Sequence, residues 1–346
     1  MALRSLLLRT MSKLSNDESY RARVEAERRT FSDNINVHDL PEIFHHWSHK
    51  FLLPKLEADG YSCLEDVFVK TVLRARERKG SSVRVISLGA GNCDFEVDLL
   101  ARIHAAGAKD VHLDCLDLVE EMLERGRRLA TEKGFEDKMG FICSDLNTIE
   151  FGDSYDVFLA NQSLHHFLEL ETIFTKVRAA LPAHGYFVTS DMIGRNGHMR
   201  WPEAYRLIDQ LWQFLPDSYK YNHQLKRLEE TFDNWDCSKE GFEGIRAEDI
   251  LPLLIEHFEF EYFLAFSNLI DVFCDRGFGH NFDAKRSFDR AFIDFVGELD
   301  HQLIQEGELT PTHLLAVMTR EKPTRQVFAD GLDPLRCVRV PDAETS

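Results

Sequence analysis

The sequence predicts a doubly wound α/β sheet, with a helical segment before it and a helical insertion after its fifth strand. Three observations favour this class. Short apolar runs alternate with amphipathic stretches between residues 83 and 190, the first run ends in a Gly-x-Gly turn, and polar side chains follow the ends of several runs. Strands that alternate with helices at this spacing are typical of a parallel sheet covered by helices on both faces.

Five strands are predicted in this region, at 83–88, 111–116, 141–143, 155–160 and 186–189, and the stretches between them include helices at 119–132 and 169–181. Right-handed crossovers then restrict the order in which the strands pair. Upstream, Asp39 before Pro41 indicates a helix start, and this helix is expected to continue toward Pro54. A further helix is expected at about 61–78, and a solvated helix at 17–35.

After Asp191 the alternation stops, and residues 192–255 are expected to be mostly helical. A strand at 258–266, a long amphipathic helix at 284–306 and a last strand at 313–318 follow. The polar tail from about residue 323 is expected to be loosely held. These boundaries divide the chain into a helical cap (1–80), a core (81–192), a second cap (193–256), the last core elements (257–322) and a tail (323–346).

The charge balance limits the classes of partner. Among 346 residues, 41 are Lys or Arg and 59 are Asp or Glu, which gives a net charge of −18. Nucleic acids and anionic membrane surfaces are bound through basic patches, so neither is expected as a partner. No apolar run reaches the roughly 18 residues of a membrane-spanning helix.

Cysteine usage and the amino terminus bear on location. Seven Cys at irregular spacings, without a Cys-x-x-Cys pair, are typical of reduced thiols in an intracellular protein, so a cytoplasmic location is expected. Residues 1–16 contain three basic residues and no acid, a composition similar to a mitochondrial presequence, and a surface helix is the alternative interpretation. The histidines at 45, 46 and 49 have no obvious carboxylate partner, and no metal is expected.

Polar residues and glycines follow four predicted strands, at Gly89, Gly91, Asp117, Asp145 and Asn161. In open α/β sheets ligands bind at the carboxyl ends of the strands, so these residues are expected to share one crevice. A Gly-x-Gly turn lets the backbone approach a ligand and exposes amides at a helix N-terminus. Asp117 is placed to accept both hydroxyls of a ribose, and Asp145 to accept from an exocyclic amine.

The set resembles the class I S-adenosylmethionine-dependent methyltransferases. The matching segments are 85–94, 116–118, 144–146, 156–166 and the turn at 181–185, so the resemblance covers roughly residues 80–192. It implies a Rossmann-like sheet of seven strands in the order 3-2-1-4-5-7-6, with strand seven antiparallel, and S-adenosylmethionine as the cofactor. It also implies that Gly89 and Gly91 pass close to the methionine part, that Asp117 holds the ribose, that Asp145 and Leu146 frame the adenine, and that Asn161 lies near the sulfonium end.

The glycine motif departs from the family pattern at two positions. An acid usually opens it, where this chain has Ser87, and its third glycine is replaced by Cys93. Asp94 is a candidate to compensate for the missing acid. The fingerprint of nicotinamide dehydrogenases requires a glycine at the position that Asp94 occupies, which argues against that class of enzyme.

The methyl acceptor is less well defined by the sequence. Enzymes that methylate nucleobase amines carry an Asp/Asn-Pro-Pro-Tyr-like turn after strand four, and the turn at 161–164 lacks it. Candidate catalytic bases are His166, after strand four, and His198 and His223, after strand five. Candidate acceptor-binding residues in the second cap and beyond are Arg195, Trp201, Tyr221 and His280.

Together these features predict methyl transfer to the hydroxyl or amine of a small molecule, such as a natural product or a sugar. The transfer is an in-line displacement that depends on positioning. Two alternatives remain open at this point: a catalytically weak cofactor-binding or partner-binding protein on the same fold, and a protein methyltransferase. The sequence leaves the choice between monomer and homodimer open.

Overall fold

A computed structural model describes Glu25 and residues 40–146, 149–151, 155–239 and 241–339. The predicted helices at 1–16 and 17–35 fall outside these residues, apart from Glu25. All seven cysteines are free, as expected for reduced thiols. Among the described residues, no helix combines the length and the apolar character that crossing a membrane requires.

The core is a sheet of eight strands. In chain order the strands are β1 Arg84–Leu88, β2 His112–Asp117, β3 Met139–Cys143, β4 Val157–Asn161, β5 Tyr186–Met192, β6 Glu259–Phe266, β7 His313–Thr319 and β8 Val327–Phe328. Their spatial order is β3-β2-β1-β4-β5-β7-β6-β8. β7 is antiparallel to both β5 and β6, whereas the first five strands are parallel to one another. The predicted fold class is therefore confirmed, with one edge strand more than expected.

Ten α-helices surround the sheet: α1 Glu42–Trp47, α2 Leu53–Ala58, α3 Leu64–Lys79, α4 Asp94–Ala105, α5 Glu120–Glu132, α6 Leu170–Ala180, α7 Pro202–Phe214, α8 Ala247–His257, α9 Leu269–Cys274 and α10 Ser287–Glu306, counted over the described residues. A π-helical turn, Ser48–Leu52, joins α1 to α2. Pro41 precedes the first turn of α1, so the helix start predicted from that proline is confirmed.

Two apolar layers cover the two faces of the sheet because successive side chains of a strand point to opposite faces. Ile86 and Leu88 of β1 pack with buried residues of α6, α8 and α10. Val85 of the same strand packs with buried residues of α3, α4 and α5. This double covering leaves the carboxyl ends of the parallel strands as the edge at which loops meet.

The second cap is less helical than predicted. Among the described residues between 193 and 256, only α7 and α8 are α-helices. Residues 215–239 and 241–246 consist of turns, short 3₁₀ segments and a two-stranded ribbon, Tyr221–Asn222 with Arg227–Leu228. The helix pattern ends at Phe214, where Leu215 and Pro216 take extended backbone conformations. Of the aromatic residues after it, Tyr219 and Phe242 are buried, whereas Tyr221 and Trp235 are exposed.

The carboxyl-terminal segment corrects the expectation of a loosely held tail. β8 extends the sheet by pairing in parallel with β6. Leu332 and Cys337 beyond it are buried, and Arg339 pairs with Glu203 of α7 at 2.8 Å. A short strand at an otherwise open edge, held by buried anchors, explains why a polar sequence is ordered here.

Candidate functional site

The loop after β1 bends back over the end of β2. The amides of Gly89 and Ala90 both donate to the carbonyl of Leu116, at 2.8 and 3.0 Å. Gly89 and Gly91 have φ values of +73° and +55°, the left-handed region that favours glycine. A Cβ at Gly89 would lie 2.8 Å from the Cβ of Ser163, so the close approach of the loop after β4 also requires glycine.

Asp117 ties the glycine loop to the next helix. Its Oδ2 accepts from the amide of Gly91 at 2.8 Å, and its Oδ1 accepts from the amide of Val119 at 2.9 Å. Burial raises the pKa of Asp117, and these backbone donors oppose that rise. A carboxylate has about four lone-pair sites, so the two oxygens keep capacity for hydroxyl donors.

The acid that is missing at Ser87 is replaced from helix α4. The Ser87 hydroxyl donates to Oε1 of Glu96 at 2.6 Å. Glu96 is only 2% exposed, and burial raises its pKa to about 7. Its second oxygen, Oε2, has no hydrogen-bond partner among the described residues, and the side chain lines the cavity described below. Asp94 was the candidate from the sequence for this role, and Glu96 was not predicted, although an acid in the apolar stretch that packs on the sheet was a signal.

Cys93, at the third glycine position, adopts the glycine-like conformation with φ +60°. It is buried against α5, where a Cβ at Gly126 would lie 2.6 Å from its Sγ. The substitution therefore keeps the course of the loop and moves the requirement for a small residue to Gly126.

One cavity of about 1210 Å³ lies at the carboxyl ends of the strands. Its wall includes all of the predicted cofactor residues and three of the predicted histidines: Gly89, Gly91, Asp117, Asp145, Leu146, Asn161, His166, His223 and His280. Phe44 and Trp47 of α1 line it next to Phe266 of β6, whose ring centroid lies 6.4 Å from that of Trp47. The cavity is therefore continuous from the glycine loop to elements of both caps.

A buried carboxylate fixes the turn after β4. Asp191, at the end of β5 and fully buried, accepts from the amides of Ser163 and Leu164 at 2.9 and 2.7 Å and contacts Nδ1 of His165 at 2.6 Å. Burial alone would lower the pKa of His165, but the carboxylates of Asp191 and Glu243 outweigh it and raise it to about 10. The sequence did not single out Asp191 for this contact, because the strand-end position alone does not say which neighbouring loop it meets.

Glu243, from the loop before α8, joins three histidines. Its Oε1 lies 2.7 Å from Nε2 of His198 and 3.5 Å from Nε2 of His165, and its Oε2 lies 3.4 Å from Nε2 of His166. Burial would raise the pKa of Glu243, but the histidines hold it well below its usual range. Burial also lowers the pKa of His198. Glu243 was not predicted from the sequence, because nothing in its local pattern distinguishes it from other acids.

A second polar group lines the same cavity. Asp271 of α9 is paired with Nη1 of Arg200 at 3.1 Å and with Nδ1 of His313 at 3.4 Å. Burial would raise the pKa of Asp271, but His313 and Arg200 hold it well below its usual range. Asp271 and His313 line the cavity, together with the nearby Asp275 and Arg276. This part of the cavity is thus polar and charged.

Four predicted site residues do not reach the cavity wall. Trp201 is held between the guanidinium groups of Arg195 and Arg339, at 5.2 and 4.2 Å from its ring centroid, so it packs the second cap. Arg195 therefore serves the same packing. Tyr221 is 40% exposed on the ribbon, beside His223. His198 contributes to the cluster at Glu243 without lining the cavity, and contact of any of these four residues with the acceptor stays a prediction.

Comparisons with known proteins agree with the class of site. Residues 79–238 match the family model of a methyltransferase domain. No curated protein matches the chain. The chain is similar to a geranyl diphosphate C-methyltransferase from Streptomyces coelicolor A3(2), at 11% identity and TM-score 0.46, over 86% of this chain and 98% of that chain. It is also similar to a putative sarcosine dimethylglycine methyltransferase from Galdieria sulphuraria, at 12% identity and TM-score 0.42, over 73% of this chain and 85% of that chain.

The residues of the cavity fit S-adenosylmethionine. The loop at Gly89 to Gly91 lines the cavity, Asp117 retains acceptor capacity for hydroxyls, and the buried Oε2 of Glu96, a lining residue, has no donor among the described residues. The sheet order, the glycine loop and the family match point to one class. Residues 79–238 are a methyltransferase domain of the class I S-adenosylmethionine-dependent type, as the family match, the sheet order and the glycine loop agree.

Proposed function

We propose that the protein methylates a hydroxyl or amine of a small molecule that binds between the glycine loop and the two caps. The observation that carries this proposal is the single cavity of about 1210 Å³. Ligand pockets typically occupy about 300–1,000 Å³, so this volume suits a cofactor together with a small acceptor. When bound, S-adenosylmethionine supplies an electrophilic methyl group.

The wall of the cavity supports a particular acceptor chemistry. Phe44, Trp47 and Phe266 offer apolar surface, while Glu243, Asp271 and Asp275 bring carboxylates to the same space. An apolar body that carries a hydroxyl or an amine would satisfy both kinds of surface. The excess of carboxylates favours a neutral or cationic acceptor over an anionic one. Nucleic acid and membrane partners remain disfavoured by the net charge of −18.

Among the three proposed bases, His166 has the best position. It lines the cavity, it belongs to the loop that follows Asn161, and its Nε2 lies 3.4 Å from Oε2 of Glu243. His223 also lines the cavity, but it is exposed and its Nε2 is 2.9 Å from Oδ1 of Asn281. We therefore assign proton acceptance from the acceptor to His166, with Glu243 orienting its ring.

The proposal is tested in two stages. Calorimetry with S-adenosylmethionine measures cofactor binding, and an assay for released S-adenosylhomocysteine then screens small alcohols, amines and an extract of low-molecular-mass compounds. We expect turnover with a small acceptor. Turnover on a protein fraction alone would show a protein methyltransferase, and binding without turnover on any fraction would show a cofactor-binding protein, so either result contradicts the proposal.

Paired variants test the base. His166→Ala is expected to lower kcat by about 10²–10⁴-fold, the usual contribution of general base catalysis, with cofactor affinity retained. His223→Ala is the matched control, since it removes a histidine of the same cavity at its exposed side. A larger loss of kcat in His223→Ala would transfer the role to that residue.

We also propose that the protein is cytoplasmic. We propose further that residues 1–80 and 193–256 form caps that close over the acceptor. Elements of both caps support the second point, because Trp47 and Glu243 line one cavity.

A further inference from the structure

We propose that His165, His198 and Glu243 form a binding site for one divalent transition-metal ion beside the acceptor space. One ligand atom from each of these residues lies within 4.8 Å of the other two. Nε2 of His165 is 3.5 Å and Nε2 of His198 is 2.7 Å from Oε1 of Glu243. Ligand atoms at 2.0–2.2 Å from a common ion are roughly 3–3.6 Å apart, so small side-chain rotations would form the site.

The ring of His165 is oriented by a second carboxylate. Its Nδ1 contacts Oδ1 of Asp191 at 2.6 Å, and Nε2 consequently faces Glu243. Metal-binding histidines commonly donate their other ring N–H to such a carboxylate, which fixes the tautomer and makes the coordinating nitrogen more basic. Asp191 is itself held by the amides of Ser163 and Leu164, so the orientation is built into the fold.

The three loops that supply the proposed ligands are tied to one another through their backbones. The amide of Gly197 donates to the carbonyl of Gly244 at 2.9 Å, and the amide of Ile245 donates to the carbonyl of His165 at 3.1 Å. His198 itself adopts the left-handed conformation with φ +54°. Non-glycine residues in this region are uncommon and are often found where the fold requires a fixed side-chain position.

The donor set indicates the class of ion. Two imidazoles and one carboxylate suit Zn²⁺, Mn²⁺, Fe²⁺ or Co²⁺, whereas Ca²⁺ and Mg²⁺ prefer oxygen ligands. His165 and Glu243 also line the cavity, so an ion held between them would keep an open position on the acceptor side. This last step rests on the proposed function: the open position would take the oxygen or nitrogen of the acceptor and hold it near the cofactor loop.

The experiment uses the full chain without an affinity tag, treated with a chelator and titrated with Co²⁺ under reducing conditions. We expect one ion per chain and visible absorption typical of nitrogen and oxygen ligands. Glu243→Gln and His198→Ala should each weaken ion binding by at least about tenfold. His46→Ala is the matched control, because it removes another histidine 2.8 Å from a carboxylate, that of Asp294.

Three results would overturn the proposal. They are no binding at micromolar Co²⁺, equal binding by the wild type and both cluster variants, and the near-ultraviolet absorption of thiolate-bound cobalt, which would assign the ion to a cysteine. Calorimetry with S-adenosylmethionine on the same variants separates the two proposals. Retained cofactor affinity without ion binding would remove only the metal site, whereas ion binding without cofactor binding would contradict only the proposed function.

Discussion

The buried carboxyl group of Glu96 makes the stability of the protein depend on pH in an unusual direction. Its pKa is raised from the ordinary value of 4.5 to about 7, because burial disfavours the charged form. Between these two values the folded protein holds a proton that the unfolded chain has released. The contribution of Glu96 to stability is therefore present at low pH and is lost as the pH rises from about 4.5 to 7.

The size of the effect follows from the pKa change. One pKa step corresponds to about 1.36 kcal/mol, so the rise from 4.5 to about 7 corresponds to roughly 3 kcal/mol. Glu96→Gln removes the ionisation and keeps an oxygen that can accept from Ser87. Relative to the wild type, the variant should gain about 2–3 kcal/mol in free energy of unfolding between about pH 5 and about pH 8.

The assay is chemical unfolding at both pH values, with circular dichroism as the readout. Asp98→Asn is the matched control, because Asp98 is an exposed acid of the same helix that pairs with Arg102. A difference between Glu96→Gln and the wild type that stays the same at both pH values would refute the reasoning. With S-adenosylmethionine present, we expect greater stabilisation of the wild type at about pH 8 if the ammonium group of the cofactor binds near Glu96, because a neighbouring cation favours the ionised carboxylate.

Three further predictions concern the loops and their supports. Asp117→Ala should weaken S-adenosylmethionine binding by about 1–3 kcal/mol in calorimetry, because acceptors for the amide of Gly91 and for the cofactor hydroxyls are lost. Asp110 is an exposed acid, so Asp110→Ala should leave the affinity unchanged. Gly126→Ala should lower the free energy of unfolding by about 1–3 kcal/mol, since its Cβ would lie 2.6 Å from Sγ of Cys93. Gly277→Ala serves as the control, because a Cβ there would meet no atom nearer than 3.4 Å. Arg246→Ala should lower the free energy of unfolding, because it leaves Glu171 and Asp249 without their partner. The loss should be somewhat smaller than about 3–5 kcal/mol, the cost of breaking a fully buried ion pair, since these two acids are about a third exposed. An unchanged melting temperature would contradict this prediction.

Local sequence patterns predicted most of the parallel half of the sheet. The runs that form β1, β2, β4 and β5 are apolar and end at glycines or polar residues, and both features are encoded within a few neighbouring residues. The start of α1 at Pro41 is a local signal of the same kind. Because parallel strands end at one edge, the predicted cofactor residues line one cavity, although their individual contacts with the cofactor stay predictions.

The second cap shows where local patterns were insufficient. Its aromatic residues suggested helices, but Trp212 and Phe278 meet in an edge-to-face contact at 4.8 Å across 66 positions of sequence. Which of these residues pack inside was decided by surfaces that the sheet and α10 supply. The same is true of β8, whose pairing with β6 depends on an edge formed more than 60 residues earlier.

By itself, the sequence determined the α/β class, the glycine turn and the position of an acid or amide after each of several strands, because turn chemistry and hydrophobic period act over short distances. Only the tertiary structure brought Asp191, Glu243 and Glu96 to their partners. His165 is 26 positions from Asp191, and His198 is 45 positions from Glu243. Such contacts arise when separate loops converge on one edge of the sheet, and burial there shifts the pKa values of the groups that meet.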